Sequence, residues 1–167
     1  MTKTILAFIL LISLNYVNAQ EEKNSKFSIG FGGSEQFVGK DSGENFEGIF
    51  GYAINSDITI NVSVANATMR SNDFDLKYKL DKYALQVNYD FGKSKNSKFE
   101  SIFGFSYVNF EKNILPKDNN GLGIDLGLQT TFNVNKKLNY GLRLVSTYSS
   151  FSPGAILNAG INFKYNL

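Results

Sequence analysis

The chain has no histidine, no cysteine and no tryptophan, and only two of its 167 residues are proline. Without cysteine there is no disulfide framework and no attachment point for a lipoprotein anchor. Without histidine as well, Ser–His–Asp and Cys–His nucleophilic catalysis and His/Cys zinc sites fall away. An excess of charge of one sign is also missing, since 17 Lys and Arg stand against 15 Asp and Glu. A nucleic-acid partner calls for a strongly basic face, whereas these charges are scattered or gathered in turns. After residue 19 no apolar run approaches the roughly 20 residues that a membrane helix requires. These absences leave no catalytic residue, cofactor or metal ligand to assign.

What the chain does have is alternation. In the last eleven or so residues, Leu157, Ala159, Ile161, Phe163, Tyr165 and Leu167 alternate with Asn158, Gly160, Asn162, Lys164 and Asn166. A period of two with one wholly apolar face describes a β-strand between a greasy and a wet environment. Its length suits a tilted strand crossing a bilayer. Fifteen Gly, fifteen Phe and nine Tyr fit many such strands joined by tight turns. The other end of the chain reads as an address. Lys3 precedes the apolar stretch 5–12, and small residues lead to Ala19, the order of a secretory signal peptide. The expected organisation is a signal peptide over 1–19, cleaved after Ala19, and one domain over 20–167.

The same rule marks eight strands. They carry Phe27, Ile29 and Phe31; Phe46, Phe50, Tyr52 and Ile54; Ile58, Ile60, Val62 and Val64; Tyr83, Leu85, Val87, Tyr89 and Phe91. The second four carry Phe99, Phe103, Phe105 and Tyr107; Leu122, Ile124, Leu126, Leu128 and Phe132; Leu138, Tyr140, Leu142, Leu144 and Tyr148; and the terminal segment. Opposed residues of an antiparallel pair face the same way. The apolar faces share parity across the short turns centred on Ser56, Lys95 and Asn135, as hairpins require. None of the outward positions is Asp, Glu, Lys or Arg, which suits a lipid face where a midplane Arg or Lys costs about 2–4 kcal/mol. Three connections, 55–57, 92–97 and 133–137, are short and belong on the periplasmic side with the termini. Four longer ones, near 34–45, 69–82, 111–120 and 149–154, belong outside. Within 69–82 the alternation of Leu76, Tyr78 and Leu80 is out of phase with Tyr83, which predicts a bulge or a strand extension above the membrane. Aromatic girdles are expected at both interfaces, with Phe46, Tyr83, Tyr107, Phe110 and Tyr148 in the outer one.

The leader, eight alternating strands, alternately short and long connections and the closing strand through Gly160, Phe163 and Tyr165 together resemble the small outer-membrane β-barrels of the OmpA/OmpX type. More closely they resemble the outer-membrane β-barrel domain proteins of Bacteroidetes, whose Lys/Asn-rich composition the chain shares. The resemblance implies an all-β, eight-stranded antiparallel up-and-down transmembrane barrel in the outer membrane of a Gram-negative bacterium. It implies lipid or lipopolysaccharide around the barrel, engagement of the assembly machinery by the C-terminal strand, no nucleic acid, and a monomer. Such barrels usually end in an aromatic residue, whereas this one ends in Leu167. Enzymatic barrels of similar architecture use a histidine, which is absent here.

Inside the barrel the alternation places mostly Gly, Ser, Thr, Asn and Gln, with Glu47, Asp90, Glu100, Asp125, Arg143 and Lys164 as a candidate lumen charge network. An eight-stranded barrel is just wide enough for side chains to fill it, so these charges must pair or hydrate. Asp90 faces Glu100 across the Lys95 turn, with Lys164 placed to reach both. Arg143 faces Gly127 and lies diagonal to Asp125. Three readings follow: structural filling of a closed lumen, a salt-bridge gate in a narrow ion path, or a carboxylate pair of the retaining-glycosidase kind. Gly121, Gly123 and Gly127 miss the dinucleotide spacing. Residues 118–121 resemble the start of a calcium loop but lack its downstream Glu, and read as an ordinary turn. At the level of function the expectation is a non-enzymatic envelope or surface-interaction protein acting through long outer loops. The alternatives are a small salt-bridge-gated pore and a secreted lipocalin-like binder of apolar ligands.

Overall fold

The computed structural model describes residues 26–72, 76–94, 97–111, 119–135, 137–152 and 154–167. The signal peptide read over 1–19 lies outside them. Eight strands follow in order: β1 (Phe27–Val38), β2 (Asp41–Ala53), β3 (Ile58–Arg70), β4 (Lys77–Lys93), β5 (Ser97–Phe110), β6 (Asn120–Asn133), β7 (Leu138–Ser149) and β8 (Ile156–Asn166). Each pairs antiparallel with the next, and β8 closes on β1 to make a barrel. Closure leaves no strand edge, the condition for placing β-structure in hydrocarbon. The residues read as apolar faces point outward: Phe31, Phe46, Leu85, Phe105, Leu122 and Leu142 are all more than half exposed. A belt of this size has no counterpart on a water-soluble monomer and marks a membrane surface. It also inverts the lipocalin arrangement, in which the apolar face lines a cavity.

The short turns explain the registers. In the β2–β3 turn Asn55 Oδ1 accepts from the backbone N–H groups of Asp57 and Ile58, and Ala53 pairs with Thr59. In the β6–β7 turn Asn135 Oδ1 accepts from Lys137 and Leu138 in the same way, and Asn133 pairs with Asn139. The asparagine therefore sits one residue before the centre in both turns. That moves the third hairpin two residues from the expected register, so Arg143 faces Gln129 and not Gly127. Parity is unchanged, because a two-residue slip keeps every side chain on its face. Across the Lys95 turn Asp90 does face Glu100.

The opposite end differs more from expectation. The connection read as 34–45 is a two-residue turn, Gly39 and Lys40, with Val38 paired to Asp41. Gly39 has φ +61°, the left-handed conformation a tight hairpin favours and only glycine adopts without strain. Likewise β4 begins at Lys77, and its pairing with β3 runs without interruption from Ile58–Tyr89 to Arg70–Lys77. The apparent phase change before Tyr83 is therefore an extension and not a bulge. The irregularity of β4 lies elsewhere, between Asp90 and Gly92.

What changes along β4 is which face is greasy. Tyr78 and Leu80 point inward and are buried, 3% and 1% exposed, while Lys77 and Lys79 point out. On β3, Ala67 and Met69 point inward while Thr68 and Arg70 point out. Val38, Val108, Phe110 and Ile156 join them in a single apolar cluster, against which Phe151 of the β7–β8 connection packs. Phe110 thus belongs to this cluster and not to the outer girdle. Near the turns the barrel is apolar outside and polar inside; at the other end it is polar outside and apolar inside. The second arrangement is that of a barrel in water, so the upper strands form a collar above the membrane with a hydrophobic plug as its core. Leu80→Ala should therefore destabilise the folded barrel in lipid vesicles by about 2–5 kcal/mol in urea unfolding, as in any packed core. The same truncation at lipid-facing Leu85 should cost distinctly less, since it leaves no enclosed cavity.

Candidate functional site: the polar lumen

Below the plug, inward side chains of β2, β4, β5, β6 and β7 meet in one hydrogen-bonded network. At its centre Asp125 is completely buried. Lys82 Nζ lies 3.0 Å from its Oδ1, and the same oxygen accepts from Ser106 Oγ at 2.9 Å and Thr147 Oγ1 at 2.7 Å. Gln86 Nε2 donates to Oδ2 at 2.6 Å, and Lys82 Nζ also donates to Thr147 Oγ1 at 2.6 Å. These donors compensate for burying the ion pair, which Coulomb attraction alone seldom does.

Gln86 joins this centre to a second pair. Its Oε1 accepts from Arg143 Nη2. Arg143 Nε lies 3.4 Å from Glu47 Oε2, and Arg143 Nη1 donates to Gln129 Oε1 at 3.2 Å. Gln129 Nε2 in turn donates to Glu100 Oε2 at 3.1 Å, where Thr131 Oγ1 donates at 2.8 Å. Asn88 Nδ2 reaches Glu100 Oε1 at 3.4 Å. Glutamines thus bridge the charges, since one amide both donates and accepts.

The six charges read from the sequence all line the lumen, but two of the pairings differ. Arg143 pairs with Glu47 of β2 and not Asp125, because the register shift carries it further from Asp125 along β6. Lys164 makes no ion pair within 4.0 Å of Asp90 or Glu100. It lies among Ser28, Asn61, Asn88, Asn162 and Arg143. Asp90 accepts from Gly92 N at 3.2 Å and faces Lys98 Nζ at 4.0 Å. The lumen residue that the sequence does not single out is Lys82, which falls at the end of the expected 69–82 connection. Its parity with Ala84, Gln86, Asn88 and Asp90 would have turned it inward had the strand been extended upward.

As chemistry, Glu47, Glu100 and Asp125 are each held by donors from other strands, whereas Asp90 Oδ2 accepts no hydrogen bond. Glu100 takes donors on both oxygens, and neither it nor Asp90 is more than 7% exposed. A glycosidase-like pair must meet a polysaccharide in an open cleft, and this one is enclosed by the barrel wall. Among the described residues no three His, Cys, Asp or Glu side chains are grouped to hold a metal ion.

No protein-family model matches the chain, and no curated protein matches it. Solved structures do. The Neisserial surface protein NspA is 13% identical over 87% of this chain and 100% of its own, with a TM-score of 0.61. The outer-membrane protein OprG of Pseudomonas aeruginosa is 11% identical over 86% and 98%, with a TM-score of 0.62. The outer-membrane enzyme PagL is 12% identical over 84% and 99%, with a TM-score of 0.57. At such identities the likeness is one of fold. Together with the apolar belt, it gives this chain the fold of the small eight-stranded outer-membrane β-barrels of the OmpA/OmpX type. Barrels of this shape include an enzyme, so fold alone leaves activity open.

The network makes a specific energetic prediction. Lys82→Met or Asp125→Leu alone should destabilise the barrel by about 3–5 kcal/mol, because each strands a buried charge. The double variant should recover most of that loss. Urea unfolding of the four proteins in vesicles measures the coupling directly.

Proposed function

We propose that the protein is a non-enzymatic outer-membrane barrel with a sealed lumen, serving envelope integrity or surface contact through the collar it holds above the bilayer. The observation that carries this reading is the plug, where Met69, Tyr78, Leu80, Val108 and Phe110 lie across the mouth above the polar network. A salt-bridge gate would have to pass ions through this apolar layer as well. The lack of histidine and cysteine, and the burial of Glu100 and Asp125 under donors from their neighbours, support a non-enzymatic role. In this reading the leader is removed after Ala19, the turns and termini face the periplasm, and lipid or lipopolysaccharide surrounds a monomer. The C-terminal strand, ending in Phe163, Tyr165 and Leu167, is what the assembly machinery engages. The surface on offer is the strand-built rim with the longer connections that leave it, since the first connection is only two residues long.

Planar-bilayer recording tests the proposal. The native barrel should show no ion steps, and the double variant Met69→Ser/Leu80→Ser should introduce them by wetting the plug. Steady ion-selective steps from the native protein, altered by Arg143→Ala, would sink the sealed reading and establish the gated pore instead.

A further inference from the structure

We propose that the turn end of the lumen holds a site for a hard divalent cation such as Ca²⁺, built from Asp90, Glu100 and Asn88. Asp90 and Glu100 are directly opposed on β4 and β5, and both are buried. Like charges in that relation repel unless something lies between them. Asn88 sits two residues from Asp90 on the same inward face, and its amide lies against Glu100. Two oxygens in this group have no hydrogen-bond partner, Asn88 Oδ1 and Asp90 Oδ2, although both side chains are more than nine-tenths buried. Stranded buried acceptors are costly. They call for a positive species that can be shared, and oxygen donors of this type suit Ca²⁺, whose remaining positions water would fill.

Two lysines compete for the same charge. Lys98 Nζ stays 4.0 Å from Asp90 Oδ2 on a side chain that is 43% exposed, and so is free to swing away. Lys164 of β8 is the other, lining the same part of the lumen as Asn88. A site with two carboxylates and two nearby ammonium groups should be weak, comparable to extracellular calcium modules with dissociation constants of about 0.1–1 mM.

The test is the melting midpoint of the folded full-length barrel in detergent, titrated with CaCl₂ against an EDTA baseline. The midpoint should rise and saturate around that concentration range. Asp90→Asn and Glu100→Gln should each weaken the effect about tenfold or abolish it, while exterior Asp81→Asn leaves it intact. Lys164→Met, which removes a competitor, should shift the titration to lower Ca²⁺, and it keeps the test informative if the carboxylate variants fail to fold. A native midpoint indifferent to Ca²⁺, or an equal response in Asp90→Asn, would overturn the site and leave Lys98 and Lys164 as the counter-ions.

Discussion

Everything in this molecule depends on the pairing of β8 with β1. Hydrocarbon offers no partner for an unpaired N–H or C=O, so a sheet can enter a bilayer only when its last edge is consumed. The closing ladder runs from Ser28–Asn166 to Val38–Ile156. It sets the diameter of the barrel, and the diameter decides the rest. With eight strands there is room for side chains and for little more. Each inward residue must therefore satisfy its neighbours, which is why charges, glutamines and glycines recur there. Gly123 leaves space that Thr147 occupies, and a methyl group at that position would come within 2.6 Å of it.

The bilayer boundary is the second constraint, and it is written into the strands as an exchange of faces. Within the membrane the outer face must be apolar, so the interior receives the polar residues and must satisfy them internally. Above the membrane water solvates the outer face, and the interior can be filled by ordinary hydrophobic packing. On β4 a single unbroken strand passes from Lys79 out and Leu80 in to Leu85 out and Gln86 in. The apolar filling of the mouth is thus a consequence of letting the strands outgrow the bilayer.

Much of this was legible in the sequence because a period of two is unambiguous when one face is bare of charge. Eight strands, their order, their parity and the six inward charges could all be read from the outer face alone. What was lost came from assuming that the alternation must keep its apolar side outward. Tyr78 and Leu80 then looked like a phase error, and the strand holding Lys82 was cut short. The Arg143–Glu47 pair joins residues far apart in the chain, and its register depends on where Asn135 sits in its turn. The matching asparagine, Asn55, carried that information. The Gly39 turn was a composition signal read as part of a longer loop. Function remained the least legible, because the chain has no histidine or cysteine and, among the described residues, no three His, Cys, Asp or Glu side chains are grouped to hold a metal ion.

The central claim, that the two faces exchange roles at the membrane boundary, can be measured residue by residue because the chain contains no cysteine of its own. Single cysteines at Lys79, Leu80 and Leu85 of β4, probed in sealed vesicles with a membrane-impermeant thiol reagent, sample the three environments. Labelling should be rapid at Lys79→Cys and absent at Leu80→Cys in the plug and Leu85→Cys in the lipid. Labelling of Leu80→Cys at the rate of Lys79→Cys would mean an open, wet mouth and would contradict the exchange of faces.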